Sequence, residues 1–330
     1  MDYTNSYQAL RSFVKDQIDI KWFLDCMVKH GQVESEKSTS YELMVKHQIP
    51  IPKSQKFNNI QELAGLLKQP LPCVVKFDTP ITLGVQTVVV KTALEAMSVF
   101  DVSKRVNSQT GIVQQFVHGQ EFTVTVLVGQ HNWVYLGTAK DYKKQFDNDQ
   151  GLNTFGMGSL APAPQTHPQT DQIIDKLVDV LRKQENYLGF LSCQFIVNDS
   201  GIWVLECNTR FCDPEFQTML ELLDSSFITS LQQCQLGQYI DQPAIDTKKR
   251  AVTISVVHND WPKYITLDTE VNVDLSPFRV WRGTHHNKVW WGTVTNSGTA
   301  SYQELAMDLY QWLAKQNLGP YRYRTDIGKV

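Results

Sequence analysis

The chain has 330 residues, 42% of them hydrophobic and 20% charged, with a formal net charge of −3. That length allows one large domain or two to three small ones, with the composition of an ordinary soluble globular protein. The charge offers no basic field to recruit nucleic acid or an anionic membrane. No apolar run reaches the about 18 residues of a membrane-spanning helix. The polar start "MDYTNSYQALRSFVKDQ" lacks the apolar core of a secretory signal, so a cytoplasmic location is expected.

In chain order, the first 35 residues read as helical, with Leu10, Phe13, Val14, Ile18, Trp22 and Phe23 near helical spacing. Thr39 and Glu42 form a capping box for a helix that stops before "IPIP". "CVVKF" and "TVVVK" are strands of a hairpin whose long tip is "DTPITLGVQ". "ALEAMSVFDVSK" is helical; "GIVQQFV", "EFTVTVLVG" and "WVYLGTA" are strands. "KDYKKQFDNDQGLNTFGMGSLAPAP" has little periodicity, and a loop that long inside a domain points to function.

"DQIIDKLVDVLRKQ" is an amphipathic helix, "GFLSCQFIVNDSGIWVLECN" a strand–turn–strand, and 215–237 one further helix. The charged run at 241–250 marks a boundary. Beyond it come three strands, "AVTISVVH", "FRVWRGT" and "KVWWGTVT", and a helix opened by a Ser301–Glu304 capping box. Six cysteines, at 26, 73, 193, 207, 212 and 234, form no C-x-x-C pair, and reduced thiols in apolar surroundings are expected. Cys207 and Cys212 lack the second ligand pair of a zinc site.

The stretch "LECNTRFCDPEFQ" (205–217) is the richest in chemistry. Glu206 and Asn208, two apart on a strand, share a face and offer two oxygens that suit Mg²⁺. Arg210 follows in phase with a fork that suits a phosphate or carboxylate. The alternative is a structural Glu206–Arg210 salt bridge. Lys76, inside an apolar strand, either snorkels to solvent or points at an anion. The 79–86 tip has one glycine and is a weak phosphate cradle. Glu121 could accept from a ribose hydroxyl or be a solvated strand end. Asp141, Lys143, Lys144, Asn153 and Thr154 fill the long loop, functional or merely solvated.

In order, these features resemble the ATP-grasp enzymes, and the motifs go further. The long loop resembles the QDHKR-x-GD-x-D-x-GPNTGGMG-x-x-SPAP segment of glycinamide ribonucleotide synthetases (phosphoribosylamine–glycine ligases). "LECNTRFCDPEFQ" resembles their EFN-x-RFGDPE-x-Q, "CVVKFD" their VVKADG, and "YRYRTDIG" their RKDIG close. The resemblance runs from about residue 36 to the end. It implies an α+β ATP-grasp fold, two α+β lobes clamping ATP, followed by a small β-rich C-terminal domain.

The expected layout is a helical segment at 1–35, an ATP-grasp domain at 36–245, and a C-terminal domain with its helix at 246–330. The smaller lobe would span about 50–118 and the larger lobe, with the metal site, 119–245. By resemblance, Glu206 and Asn208 hold Mg²⁺ (or Mn²⁺), and Lys76 and Arg210 contact ATP phosphates and act in catalysis. Gln114, Gln115, Phe116 and Val117, in "VQQFV", read adenine, and Glu121 takes the ribose. Asp141, Lys143, Asn153, Thr154, Asp213 and Glu215 surround the carboxylate substrate, glycine in the family.

The departures are as informative. The family's N-terminal nucleotide-like domain is absent from this sequence. An ATP-contacting Lys aligns with Tyr41, with Lys37 one turn away as its substitute, and the His of DHKR is Tyr142. The hairpin at "GTHHNKVWW" looks shortened. The expected activity is therefore an ATP- and Mg²⁺-dependent carboxylate–amine ligase. It would activate a glycine-like amino acid as an acyl phosphate and transfer it to an amine other than phosphoribosylamine, acting as a monomer or homodimer. Phosphoribosylamine–glycine ligation itself, a degenerate nucleotide-binding protein, and transfer onto a macromolecule such as a modified nucleic acid stand as the other readings.

Overall fold

The computed structural model describes residues 4–29, 32–79, 86–105, 110–259, 261, 277–285 and 289–329. The tip at 80–85 and residues 286–288 of the shortened hairpin lie outside them. Three helices, α1 (Thr4–Val14), α2 (Ile20–Lys29) and α3 (Gln32–Ser35), lead into α4 (Lys37–Lys46). The expected Thr39–Glu42 capping box does not form. α4 starts three residues earlier, with Glu36 at its cap, and the Thr39 hydroxyl donates back to Glu36 at 2.8 Å. The Asp78 carboxylate takes the Ser38 N–H and hydroxyl instead, both at 2.7 Å. A carboxylate there satisfies an orphan amide and meets the positive end of the helix.

The smaller sheet contains β1 (Ser54–Phe57), β2 (Cys73–Phe77), β3 (Thr87–Val90) and β4 (Gly111–Gln115), in the antiparallel order β1-β4-β2-β3. Helices α5 (Ile60–Leu66) and α6 (Ala93–Arg105) cover it, and Phe57, Leu63, Val75, Phe77 and Val99 form their shared core.

The larger sheet orders its strands β11-β10-β5-β6-β9-β12-β14-β13, with β15 beside β12. They are β5 (Gln120–Val128), β6 (Trp133–Asp141), β9 (Gly158–Ala161), β10 (Gly189–Asn198), β11 (Gly201–Asn208), β12 (Arg250–His258), β13 (Arg279–His285), β14 (Val289–Gly298) and β15 (Tyr321–Arg322). The long segment after β6 is thus partly regular. It holds a two-stranded ribbon, β7 (Lys144–Phe146) with β8 (Gln150–Asn153), and then β9. β9 pairs with β6 on one side and β12 on the other, so the sheet runs unbroken across the charged segment at 241–250.

Helix α7 (Thr170–Glu185) packs Ile173, Ile174, Leu177, Val178 and Leu181 on one face of this sheet, as their spacing requires. The expected helix at 215–237 is two helices, α8 (Glu215–Leu220) and α9 (Ser226–Gln235), parted where Leu223 bridges to Ile245 and Asp224 accepts the Ser226 N–H. Helix α10 (Tyr302–Leu313) has the Ser301–Glu304 capping box and covers β12 and β14.

The N-terminal helices complete a core of their own. Ala9, Leu10, Val14, Phe23 and Met27 pack with Phe190, Phe211, Phe216 and Phe227, and the Phe23 and Phe190 rings are 4.9 Å apart. Among the described residues all six cysteines are free thiols. Phe23 is 1% exposed, so Phe23→Ala is expected to cost about 3–5 kcal/mol. The effect should appear as a lowered denaturant midpoint at unchanged slope; an unmoved midpoint would mean that these helices add nothing to the fold.

Candidate active site

A bulge places Glu206. The β10–β11 ladder pairs Phe195 with Val204 and then Gln194 with Glu206, leaving Leu205 as the extra residue. The Leu205 carbonyl accepts from Lys76 Nζ at 2.6 Å, which ties the smaller sheet to the larger. Lys76 is buried, so it does not snorkel. Beyond the bulge, Cys207 enters the core under α7, while Glu206 and Asn208 take the opposite face. Lys37, the first residue of α4, places Nζ 3.2 Å from Glu206 Oε2. Lys143, two residues past β6, donates to Glu121 Oε2 at 2.8 Å and to Gln194 Oε1 at 2.6 Å.

Three ammonium groups thus meet two carboxylates. Burial alone would raise the Glu206 pKa, but Lys37, Lys143 and Lys76 outweigh it and hold the carboxylate far below its usual range. Lys143 lowers Glu121 likewise. Burial would lower Lys143, yet Glu121, Asp141 and Glu206 keep it protonated well above its usual range. Lys76 is the loser: burial brings its pKa down to about 8, against the pull of Glu206.

A second group lies beside the first. Asp141 ends β6 and Glu215 starts α8. Glu215 Oε1 accepts from the Thr123 hydroxyl at 3.0 Å, whereas Glu215 Oε2 and Asp141 Oδ1 are buried with no hydrogen-bond partner. Burial, then the nearby Glu215 carboxylate, raises Asp141 well above its usual range; burial pushes Glu215 up to about 7. Gly156, at φ 106°, lets the loop pass close to this pair: a Cβ there would press on Pro214 and lie 3.1 Å from Asp141 Oδ1. Buried carboxyl oxygens without donors are rare unless a ligand or water completes them.

The remaining candidates are distributed around these two groups. Arg210 lies past the end of β11 rather than in phase with it. Its Nε donates to Glu34 Oε1 at 2.9 Å and its Nη1 to the Phe211 carbonyl at 2.7 Å. Neither Glu206 nor Arg210 is the other's partner, so the simple salt bridge between them is not formed. Asp213 Oδ1 accepts from Gln217 Nε2 at 2.5 Å. The Thr154 N–H and hydroxyl both donate to the Lys143 carbonyl, at 2.8 and 2.9 Å, and Asn153 pairs with Lys144 across the ribbon.

A cleft between the sheets is lined by Val33, Tyr41, Met44, Ile51, Ile112 and Gln114 together with Lys37, Lys76 and Glu206. Gln114 Nε2 donates to Ser54 Oγ at 3.0 Å, and the Gln115 N–H to the Lys53 carbonyl at 2.7 Å. The Phe116 ring lies 4.7 Å from that of His118, and Val117 follows on the link to β5. The Tyr41 hydroxyl donates to the Ser54 carbonyl at 2.9 Å, so Lys37 is the cation that α4 brings to the cleft.

A model of the phosphoribosylglycinamide synthetase ATP-grasp (A) domain matches residues 35–216, more than half of the chain. The chain belongs to this ATP-grasp ligase family. It is 31% identical over 246 residues to the phosphoribosylamine–glycine ligase of Caldanaerobacter subterraneus subsp. tengcongensis, covering 71% of this chain and 59% of that protein. It is 29% identical over 327 residues to that of Streptococcus suis, covering 90% and 76%. The solved Thermotoga maritima phosphoribosylamine–glycine ligase superposes with a TM-score of 0.76 at 20% identity, over 88% of this chain and 78% of that one. The biotin carboxylase domain of Hydrogenobacter thermophilus 2-oxoglutarate carboxylase superposes at 0.66 and 12% identity, over 87% and 67%. These likenesses agree with the ATP-grasp fold.

Among the described residues no group of three or more His, Cys, Asp and Glu could hold a metal by itself. A metal at Glu206 and Asn208 therefore needs phosphate oxygens and water as further ligands, which is the usual arrangement for Mg²⁺ with a nucleotide. A carboxylate kept ionised at the end of a strand fits that use.

Sequence reasoning overlooked Glu34, which binds both Arg210 and the Thr209 N–H (3.2 Å), as well as Gln194 and Thr123. The signal for the last two was present: Thr123 and Thr125, and Ser192 and Gln194, alternate with apolar residues along their strands and share one polar face.

The Glu215 carboxyl gives a test with a definite sign. Its folded pKa of about 7 exceeds the ordinary 4.5, so its contribution is fully present below pH 4.5 and is lost as pH rises through 7. Relative to the parent, Glu215→Gln should gain stability from pH 4.5 to about 7 and level off above it in chemical denaturation. A pH-independent difference would contradict a buried, protonated carboxyl.

Proposed function

We propose that this chain is an ATP- and Mg²⁺-dependent carboxylate–amine ligase that activates a small amino acid as its acyl phosphate. One observation carries the reading: two partnerless buried carboxyl oxygens, Asp141 Oδ1 and Glu215 Oε2, stand beside a cluster of lysines and the ionised Glu206. The first group suits an amino acid's ammonium, and the second suits phosphate oxygens.

The chemistry divides among the residues as follows. The apolar cleft with Gln114, Gln115, Phe116 and Val117 takes the adenine, and Glu121 takes the ribose. Lys37, Lys76 and Arg210 face the phosphates. Glu206 and Asn208 hold Mg²⁺, which when bound neutralises phosphate charge. Asp141 and Glu215, with Lys143, Asn153, Thr154 and Asp213 around them, hold the amino acid so that its carboxylate oxygen lies in line with the terminal phosphorus.

That oxygen attacks phosphorus as the bond to ADP breaks, and positioning plus charge neutralisation supply most of the acceleration. The amine nitrogen then attacks the acyl carbon, the C–O bond to phosphate breaks, and the proton shed by nitrogen leaves with phosphate or to water. The relatives' names favour glycine as the amino acid. They equally favour phosphoribosylamine as the amine, so the expectation of a different acceptor finds no support in them, and phosphoribosylamine is the first acceptor to try. Tyr41 in place of a lysine motivates the rival reading of a nucleotide-binding protein without turnover.

ATP, Mg²⁺ and glycine with hydroxylamine should yield ADP and a hydroxamate. Glu206→Ala should lower the rate by about 10²–10³. Asp141→Asn should raise the KM for the amino acid about tenfold while ATP affinity stays level. ATP binding without hydroxamate from any amino acid would reject the ligase reading in favour of its rival.

A further inference from the structure

Asp141 is seated in the β6–β9 ladder, and Tyr142 exchanges backbone hydrogen bonds with Gly158 and Met157, but Lys143 begins the departure from the sheet. The β7–β8 ribbon that continues it has three and four residues and joins no other sheet, and a ribbon that short is marginal in water. Beyond the two bonds from Thr154 to its carbonyl, the support of Lys143 and the ribbon that follows must come from outside the ribbon.

The fixing comes from one buried cation near the C-terminus. Arg324 is 1% exposed. Its Nε and Nη2 grip the two oxygens of Asp326, at 2.8 and 2.6 Å. Its Nη1 donates to the Lys144 carbonyl at 3.1 Å and to Asp149 Oδ1 at 3.0 Å. Its guanidinium carbon lies 5.0 Å from the centre of the Tyr142 ring. Tyr142 and Lys144 flank Lys143, so one side chain holds the loop on both sides of the residue that reaches Glu121 and Gln194.

Its neighbours extend the same grip. The Thr325 N–H donates to Asp147 Oδ1 at 2.9 Å, its hydroxyl to Asp147 Oδ2, and the Asn148 N–H to Asp326 Oδ2 at 2.8 Å. Arg322 Nη1 donates to the Gln145 carbonyl at 2.8 Å. The stretch from Lys144 to Asp149 thus rests on residues 322–326.

We infer that Arg324 is a positioning residue of the amino-acid site, acting through Tyr142, Lys144 and Asp149 to hold Lys143 in place. The inference rests on the reading of Asp141, Lys143 and Glu215 as that site. A planar fork bonding four acceptors is needed; a lysine ammonium is a point charge and cannot replace it.

Arg324→Lys keeps the charge and loses the fork. It should raise the KM for glycine at least tenfold, with the KM for ATP within twofold, and speed hydrogen exchange at least tenfold across 142–157 while β10 and β11 stay protected. Asp149→Ala, which removes a single exposed anchor, should shift both readouts in the same direction by a smaller factor. Equal rises in both KM values, or unchanged loop exchange in Arg324→Lys, overturns the inference. If Arg324→Lys does not fold, Asp149→Ala decides: exchange at 142–157 equal to the parent's overturns it. Exchange is read without turnover, so a parent enzyme inactive on every amino acid would discredit the ligase reading separately from the seating of the loop.

Discussion

Everything at the cleft depends on keeping several like charges close together out of water. Lys37, Lys76 and Lys143 come from a helix, a strand of one sheet and a loop of the other. Three ammonium groups brought together in this way would repel one another and pay for lost hydration. Glu206 and Glu121 offset that repulsion, and the imbalance that remains is the burial of Lys76, which brings its pKa down to about 8. A phosphate chain would relieve that imbalance, so the site is built to be more comfortable with an anion than without one.

The acid pair obeys the opposite logic. Asp141 and Glu215 sit where neither oxygen can be fully solvated and no built-in donor reaches both. Burial raises both carboxyls above their usual range, and an arriving ammonium group would favour their ionised forms. Cation-rich and acid-rich halves lie within one loop of each other, because Lys143 is two residues past Asp141. On the proposed reading, that closeness would set a polarity for a ligand bound across them: anionic end toward the lysines, cationic end toward the acids.

Local patterns were legible in the sequence where burial and periodicity agree. The face of α7, the Ser301–Glu304 box and the strand pairs all follow from spacing. The motif resemblance supplied the fold and the location of Glu206. What escaped was set by tertiary contact. The Leu205 bulge has no signature in "GIWVLECN". The Asp78 carboxylate that starts α4 is 40 residues from Ser38. The pairing of Glu34 with Arg210 spans 176 residues. The segment read as an aperiodic loop hides β9 because a four-residue strand buried on both sides is too short to show alternation.

The continuity of the sheet through β9 has a further consequence. The charged run at 241–250 looks like a place where the chain could be divided, and by composition it is. Cutting there would strip β12 from β9 and leave the Gly158–Ala161 backbone as a bare ladder edge beside the loop that carries Lys143. An unprotected edge of that kind invites pairing with another molecule. The larger lobe and the residues beyond 246 are in this sense one folding unit, and a fragment ending at 245 would be prone to aggregate before its chemistry could be examined.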